Sequence, residues 1–167
     1  MTSAVGGTRV RSTLATLAAL ALLGGAGRGT VGCGGGSNEL SGSIGESFNL
    51  GFDRVSVRKQ AEALIVEYQK DVSGVVHKVC KLVVDTHALA LGSGTRLSGD
   101  VFASHVQLSR ITASGGDFPA VKSGQIQFDA YDFKAKGQVD GGFSVVFDNG
   151  RTLQGNFSGQ IEEVATN

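Results

Sequence analysis

FSVVFDNGRTLQGNFSGQI, residues 143–161, contains two runs of alternating side chains separated by a turn. In the second run, every other residue from Leu153 to Ile161 is apolar or glycine and the residues between them are polar, which is the pattern of a half-buried strand. The Asn149-Gly150 pair between the runs is typical of a tight hairpin turn. The stretch therefore predicts an antiparallel β-hairpin.

Similar alternation and turn residues recur through the rest of the chain from residue 39 onward. Residues 60–70 also fit helical spacing, but the valine-rich run that follows favours a hairpin of 62–70 with 75–85. The other predicted strands are 43–50, 52–58, 99–110, 121–132 and 134–140. Eight or nine short strands predict an all-β fold, either an antiparallel sandwich or an up-and-down barrel. The nine phenylalanines line a cavity in such a barrel or, as we expect, fill its core.

The length and charge of the chain limit its organisation and its partners. At 167 residues it has room for one domain. The first 38 residues contain three arginines and no acid, which leaves 12 Lys and Arg against 15 Asp and Glu in the remainder. A mildly acidic domain without a basic cluster is not expected to bind nucleic acid.

The N-terminal segment has the layout of an export signal. Arg9 and Arg11 precede an apolar run of ten residues, 14–23, which is too short for a transmembrane helix but has the length of a secretory hydrophobic region. Thr-Val-Gly-Cys follows at 30–33, and residues 34–38 read GGGSN. Gly- and Ser-rich segments of this kind are flexible tethers.

This arrangement resembles a bacterial lipoprotein signal peptide with its lipobox cysteine. The resemblance implies a signal peptide at 1–32, cleavage between Gly32 and Cys33, a lipid thioether on Cys33, a tether at 33–38 and a single β-rich domain at 39–167. Two or more acyl chains give stable anchoring. The chain is then expected in the bacterial cell envelope, with the outer membrane favoured because glycine follows the cysteine.

Three other interpretations of the leader stay open. Ordinary signal peptidase could cut near Ala26 or Gly27 and release a soluble secreted or periplasmic protein, the segment could be an organellar transit peptide, or translation could begin elsewhere. The triple glycine after Cys33 favours the lipoprotein interpretation, because a released protein needs no tether.

No catalytic motif is present in the sequence, and we expect neither a metal nor a cofactor. His77 and Cys80 are three residues apart, so on a regular strand they point to opposite faces, and Cys80 is expected to be a buried thiol. The expected role is a non-enzymatic binding or structural domain, with the membrane, a small apolar ligand or an envelope protein as partner. The alternative is an envelope hydrolase or metal-dependent enzyme that uses His77, His87 or His105.

Overall fold

Nine β-strands and two short helices form the part of the chain that the computed structural model describes, residues 37–112 and 115–163. The strands are β1 (Glu39–Ser41), β2 (Arg54–Gln60), β3 (Ala63–Val72), β4 (Val75–Asp85), β5 (Arg96–Ser98), β6 (Val106–Ile111), β7 (Val121–Tyr131), β8 (Gln138–Phe147) and β9 (Thr152–Glu163). The helices are a 3₁₀ helix, Ser43–Glu46, and α1, Gly99–His105. The fold is all-β, as the sequence predicts. Cys33, its cleavage position after Gly32 and the signal peptide at 1–32 lie outside the described residues.

The strands form a single curled sheet with the shape of a half-barrel. Its order is β5-β7-β8-β9-β2-β3-β4-β6, and β1 pairs with β9. The described ladders are antiparallel except that of β2 with β9, where Val57 lies opposite Ile161. The chain passes from β5 to β6, the two ends of this order, through α1, which contacts β5, β7, β4 and β6. The helix therefore connects the two edges of the half-barrel.

The hairpin predicted at residues 143–161 is confirmed as β8 and β9. Its turn differs in detail from a two-residue Asn-Gly turn. The Gly150 amide donates to the Phe147 oxygen, and of the turn residues only Gly150 has a positive φ. This geometry is a turn followed by one left-handed residue, which glycine adopts without strain.

The hairpin predicted at 62–70 and 75–85 is also confirmed, as β3 and β4, and the helical alternative for this stretch is wrong. Val72 pairs with Val75, and the two residues between them, Ser73 and Gly74, both have positive φ. Two left-handed residues match the twist of the flanking strands. Val75 to Asp85 is a strand over the whole predicted range.

Two predicted strands are wrong because contacts distant in sequence decide the local structure. Residues 43–50 contain the 3₁₀ helix instead of a strand. At Gly42 a Cβ atom would lie 2.3 Å from the Thr152 oxygen, so the chain touches β9 there and turns away. Residues 99–110 are α1 followed by β6 rather than one strand, since Phe102 of the helix packs against β7.

The third difference concerns residues 134–140, which are not a separate strand. Residues 134–137 form a turn with Lys136 at a φ of 60°, and the strand that follows continues from Gln138 to Phe147 as β8. The two predicted strands at 134–140 and 143–147 are therefore one turn and one long strand.

The phenylalanines belong to the core of the half-barrel. Six of the nine are buried and the other three, Phe48, Phe52 and Phe133, are partly buried and pack against that core. Cys80 is fully buried among them, as expected. No helix in the described ranges is long and apolar enough to cross a membrane.

Candidate functional site

A cleft of about 250 Å³ opens where the ends of β3, β4 and β6 meet. We call it the Arg110 cleft. Its walls carry three cationic or titratable side chains, two polar ones and two valines. These are Asn49, Lys70, Val72, His77, Val79, Arg110 and Thr112.

A β-bulge in β4 shifts the register between β3 and β4 beside the cleft. Tyr68 lies opposite Cys80 but Gln69 lies opposite Lys78, so Val79 is one extra residue in β4. Beyond the bulge His77 pairs with Lys70, on the same face of β3 as the core residue Tyr68. Bulges commonly redirect side chains near binding sites. Here the bulge places His77 beside the cleft.

Arg110 is the most unusual residue of the cleft, because a guanidinium group is rarely so buried. Its exposed fraction is 8%. The guanidinium carbon lies 4.4 Å from the ring centre of Phe48 and 5.8 Å from that of Phe118, which are cation–π distances. Burial lowers the pKa of Arg110 and the charge of Asp117 opposes that shift, so the group stays positively charged at neutral pH.

The positive charge of the cleft is not balanced by a salt bridge. Among residues 37–112 and 115–162, neither Arg110 nor Lys70 forms a side-chain ion pair with a carboxylate, and the buried Nε of Arg110 has no hydrogen-bond partner. Asp117 accepts a bond from the main-chain nitrogen of Arg110 instead. A buried cation that forms no ion pair with a carboxylate is well suited to bind an anion.

The expectation that His77 and Cys80 point to opposite faces is wrong, and the reason is the bulge at Val79. Cys80 pairs with Tyr68 and His77 with Lys70, which are two residues apart on β3 and so share a face. Cys80 is enclosed in the core, whereas His77 is partly exposed in the cleft. Within the described residues no group of three His, Cys, Asp or Glu side chains is arranged to hold a metal ion.

His87 and His105 lie near the opposite end of β4 from His77, around Asp85. The ring Nδ1 of His87 is 2.6 Å from Glu62 Oε2, and its main-chain nitrogen donates to the Asp85 carboxylate. The ring of His105 contacts the main-chain oxygen of Asp85 at 3.2 Å. The three histidines proposed for an enzyme are therefore split between two ends of one strand.

Arg110 and Lys70 were not identified from the sequence, although one feature of it could have shown Arg110. Val106, Leu108 and Arg110 alternate with polar residues, so the arginine takes the place of an apolar residue on an inward-facing row. Its stacking on Phe48 and Phe118 depends on contacts between separate segments of the chain. Comparison with protein-family models, with curated proteins and with solved structures finds no match.

Proposed function

We propose that this chain is a lipid-anchored protein of the bacterial cell envelope whose β-domain binds a small organic anion in the Arg110 cleft. The anchor is Cys33, and the outer membrane is the favoured location. The domain acts by binding rather than by catalysis. The observation that carries the binding role is the buried side chain of Arg110, which lines a cleft and forms no ion pair with a carboxylate of the described residues.

The walls of the cleft suggest the chemistry of the ligand. Arg110 and Lys70 provide positive charge, and the Arg110 fork matches the two oxygens of a carboxylate or phosphate group. Val72 and Val79 provide an apolar wall beside these cations. At about 250 Å³ the cleft is smaller than most drug-sized sites. A compact acid with a short hydrocarbon part fits these properties.

Anion binding is tested by titrating the purified full chain, in detergent if it is lipidated, with butyrate and inorganic phosphate. Butylamine is the control of equal size and opposite charge. We expect saturable amide shifts around Lys70, His77 and Arg110 with at least one anion and none with butylamine. If neither anion shifts these amides, the cleft does not have the proposed role.

Variants identify the group that holds the anion. Arg110→Gln should weaken binding at least tenfold, since a charge-assisted hydrogen bond contributes about 1.5–3 kcal/mol. Lys70→Gln, at a partly exposed position, removes the second cation with little risk to folding. Arg54→Gln is the matched control, because Arg54 is exposed and bonds Gln69 outside the cleft. Equal affinity in all three variants would contradict the assignment.

The anchor is tested separately by metabolic labelling with palmitate and fractionation of the envelope. Wild type should carry label and sediment with membranes, whereas Cys33→Ser should carry none. Label on the mutant, or an unlabelled soluble wild type, would contradict the anchor and leave the anion site to be judged on its own titration.

A further inference from the structure

A second depression, separate from the Arg110 cleft, crosses the outer face of the sheet over β7, β8, β9 and β1. Its volume is about 460 Å³. Its floor is Gly142, and we call it the Gly142 groove. The side chains next to the floor are amides and a hydroxyl, from Gln125, Gln127, Ser144, Gln154 and Asn156.

The strand register explains how the groove forms. Gln127, Gly142 and Asn156 lie side by side on β7, β8 and β9, and Gln125, Ser144 and Gln154 form the next row. Neighbouring strands are about 4.8 Å apart, so each row presents polar groups at regular intervals. Gly142 interrupts the first row, and the side-chain amide of Asn156 reaches into part of the space that a side chain at 142 would fill.

The glycine at 142 is not required by backbone packing, in contrast to its neighbour. A Cβ at Gly141 would lie 2.3 Å from the main-chain oxygen of Gln127, so glycine is needed there. A Cβ at Gly142 would meet first the side-chain oxygen of Asn156, at 2.7 Å, and that amide can rotate away. Its φ is not in the left-handed region either. Glycine within a strand weakens it and often marks a position that a ligand approaches closely.

Hydrogen bonds within the groove hold the amides of Gln127 and Gln154 in place while leaving them able to bind a ligand. Gln127 donates from Nε2 to Asp129 Oδ1 at 3.2 Å, and Gln154 donates to Ser41 Oγ at 3.2 Å. Each amide keeps its oxygen and a second N–H group for a ligand. These groups offer donors and acceptors together, which is what a sugar hydroxyl requires because it is both.

The charges around the groove do not favour an ion. Two carboxylates, Glu39 and Asp129, and one guanidinium, Arg96, lie among its lining residues. Arg96 is already bonded to the side-chain oxygen of Gln125. The two carboxylates would repel an anion. A cation would have only these two carboxylates among the lining residues to bind it, and both are exposed.

We propose that the Gly142 groove binds a short, uncharged saccharide. The ring lies over Gly142, and its hydroxyls bond the amides of Gln127, Gln154 and Asn156. The volume lies within the range of about 300–1,000 Å³ usual for small-molecule sites. This site is on the outer face of the sheet and does not depend on the Arg110 cleft.

The test uses the purified full chain, isotope-labelled and in detergent if lipidated, titrated with maltotriose, cellotriose and triacetylchitotriose. At least one trisaccharide should give saturable amide shifts at residues 125–127, 142–144 and 154–156. No shift with any of the three, or shifts located elsewhere, would overturn the proposal.

Filling the groove should abolish that binding. Gly142→Gln places a side chain over the floor, and we expect at least a tenfold loss of affinity. Val146→Gln is the matched control, since Val146 is exposed on the same strand four residues further along. Gln127→Ala with Asn156→Ala removes hydrogen-bonding groups without adding volume and should cause a similar loss. Binding that survives in both the filled and the double variant would overturn the proposal.

Discussion

Tyr68 donates a hydrogen bond from its phenolic oxygen to the main-chain oxygen of Asn156 at 2.8 Å. The bond joins a fully buried side chain of β3 to the backbone of β9, although β2 lies between these strands in the sheet. The ring of Tyr68 also makes edge contacts with Phe52 and Phe143. Tyr68 therefore links β3, which lines the Arg110 cleft, to β9, which lines the Gly142 groove.

Tyr68→Phe should destabilise the domain by about 0.5–1.5 kcal/mol, because the partly buried bond to the Asn156 main-chain oxygen is lost while the ring still fills its space. Urea denaturation monitored by circular dichroism measures this change. Tyr131→Phe is the control, since Tyr131 is less buried and stacks on Phe133. If Tyr68→Phe and Tyr131→Phe unfold at the same urea concentration, the hydrogen bond does not contribute as proposed.

Glu67 is a fully buried carboxylate on the other face of β3, and it should make stability depend on pH. Burial acts to raise its pKa, but hydrogen bonds from Lys78 and Gln69 and the charges of Arg58 and Lys78 outweigh burial and lower the pKa below 4.5. The stabilisation is therefore fully present above the unfolded-state pKa and is lost as the pH falls through the folded-state pKa.

Glu67→Gln removes that charge and should cost about 2–3 kcal/mol at pH 7, since it leaves Arg58 and Lys78 without their carboxylate. The variant should also lose part of the decrease in stability below pH 4.5. Unfolding free energies measured from pH 7 to pH 3 test both effects. Glu62→Gln, in an exposed pair with His87, should change stability little. Parallel pH profiles for wild type and Glu67→Gln would contradict the pKa shift.

The parts of the fold that could be predicted from the sequence are those set by neighbouring residues. The β8–β9 hairpin follows from alternation around Asn149-Gly150, and the β3–β4 hairpin from two strand-forming runs around Ser73-Gly74. In both, the partners of each strand are close in the chain. Local patterns therefore determine the pairing.

The wrong predictions involve segments whose structure is set by distant contacts. Residues 99–105 read GDVFASH, a short run with no strong helical pattern, and they form a helix where Phe102 packs over Gly124. The cleft could not be predicted for the same reason, since Arg110 stacks on Phe48 from another segment. Neither contact has a local signature in the sequence.

The thiol of Cys80 should be unreactive in the folded protein. It is fully buried, and burial raises its pKa, so little thiolate is available to attack a reagent. A thiol reagent such as Ellman's reagent should modify it only after unfolding. In denaturant a chain with the proposed lipid thioether on Cys33 should give one thiol, whereas a chain with a free Cys33 would give two. Rapid labelling of the native protein at Cys80 would contradict its burial.

The contact between Phe102 and Gly124 should hold α1 across the half-barrel. A Cβ at Gly124 would lie 2.3 Å from Phe102 Cε1, so Gly124→Ala forces the helix to shift and should cost about 1–3 kcal/mol. Adding Phe102→Leu should relieve part of the clash, giving a non-additive double mutant in urea denaturation. Gly45→Ala is the control, because its new atom would meet Leu50 at an ordinary 3.4 Å. Strictly additive effects at the two positions would show that the contact does not hold the helix in place.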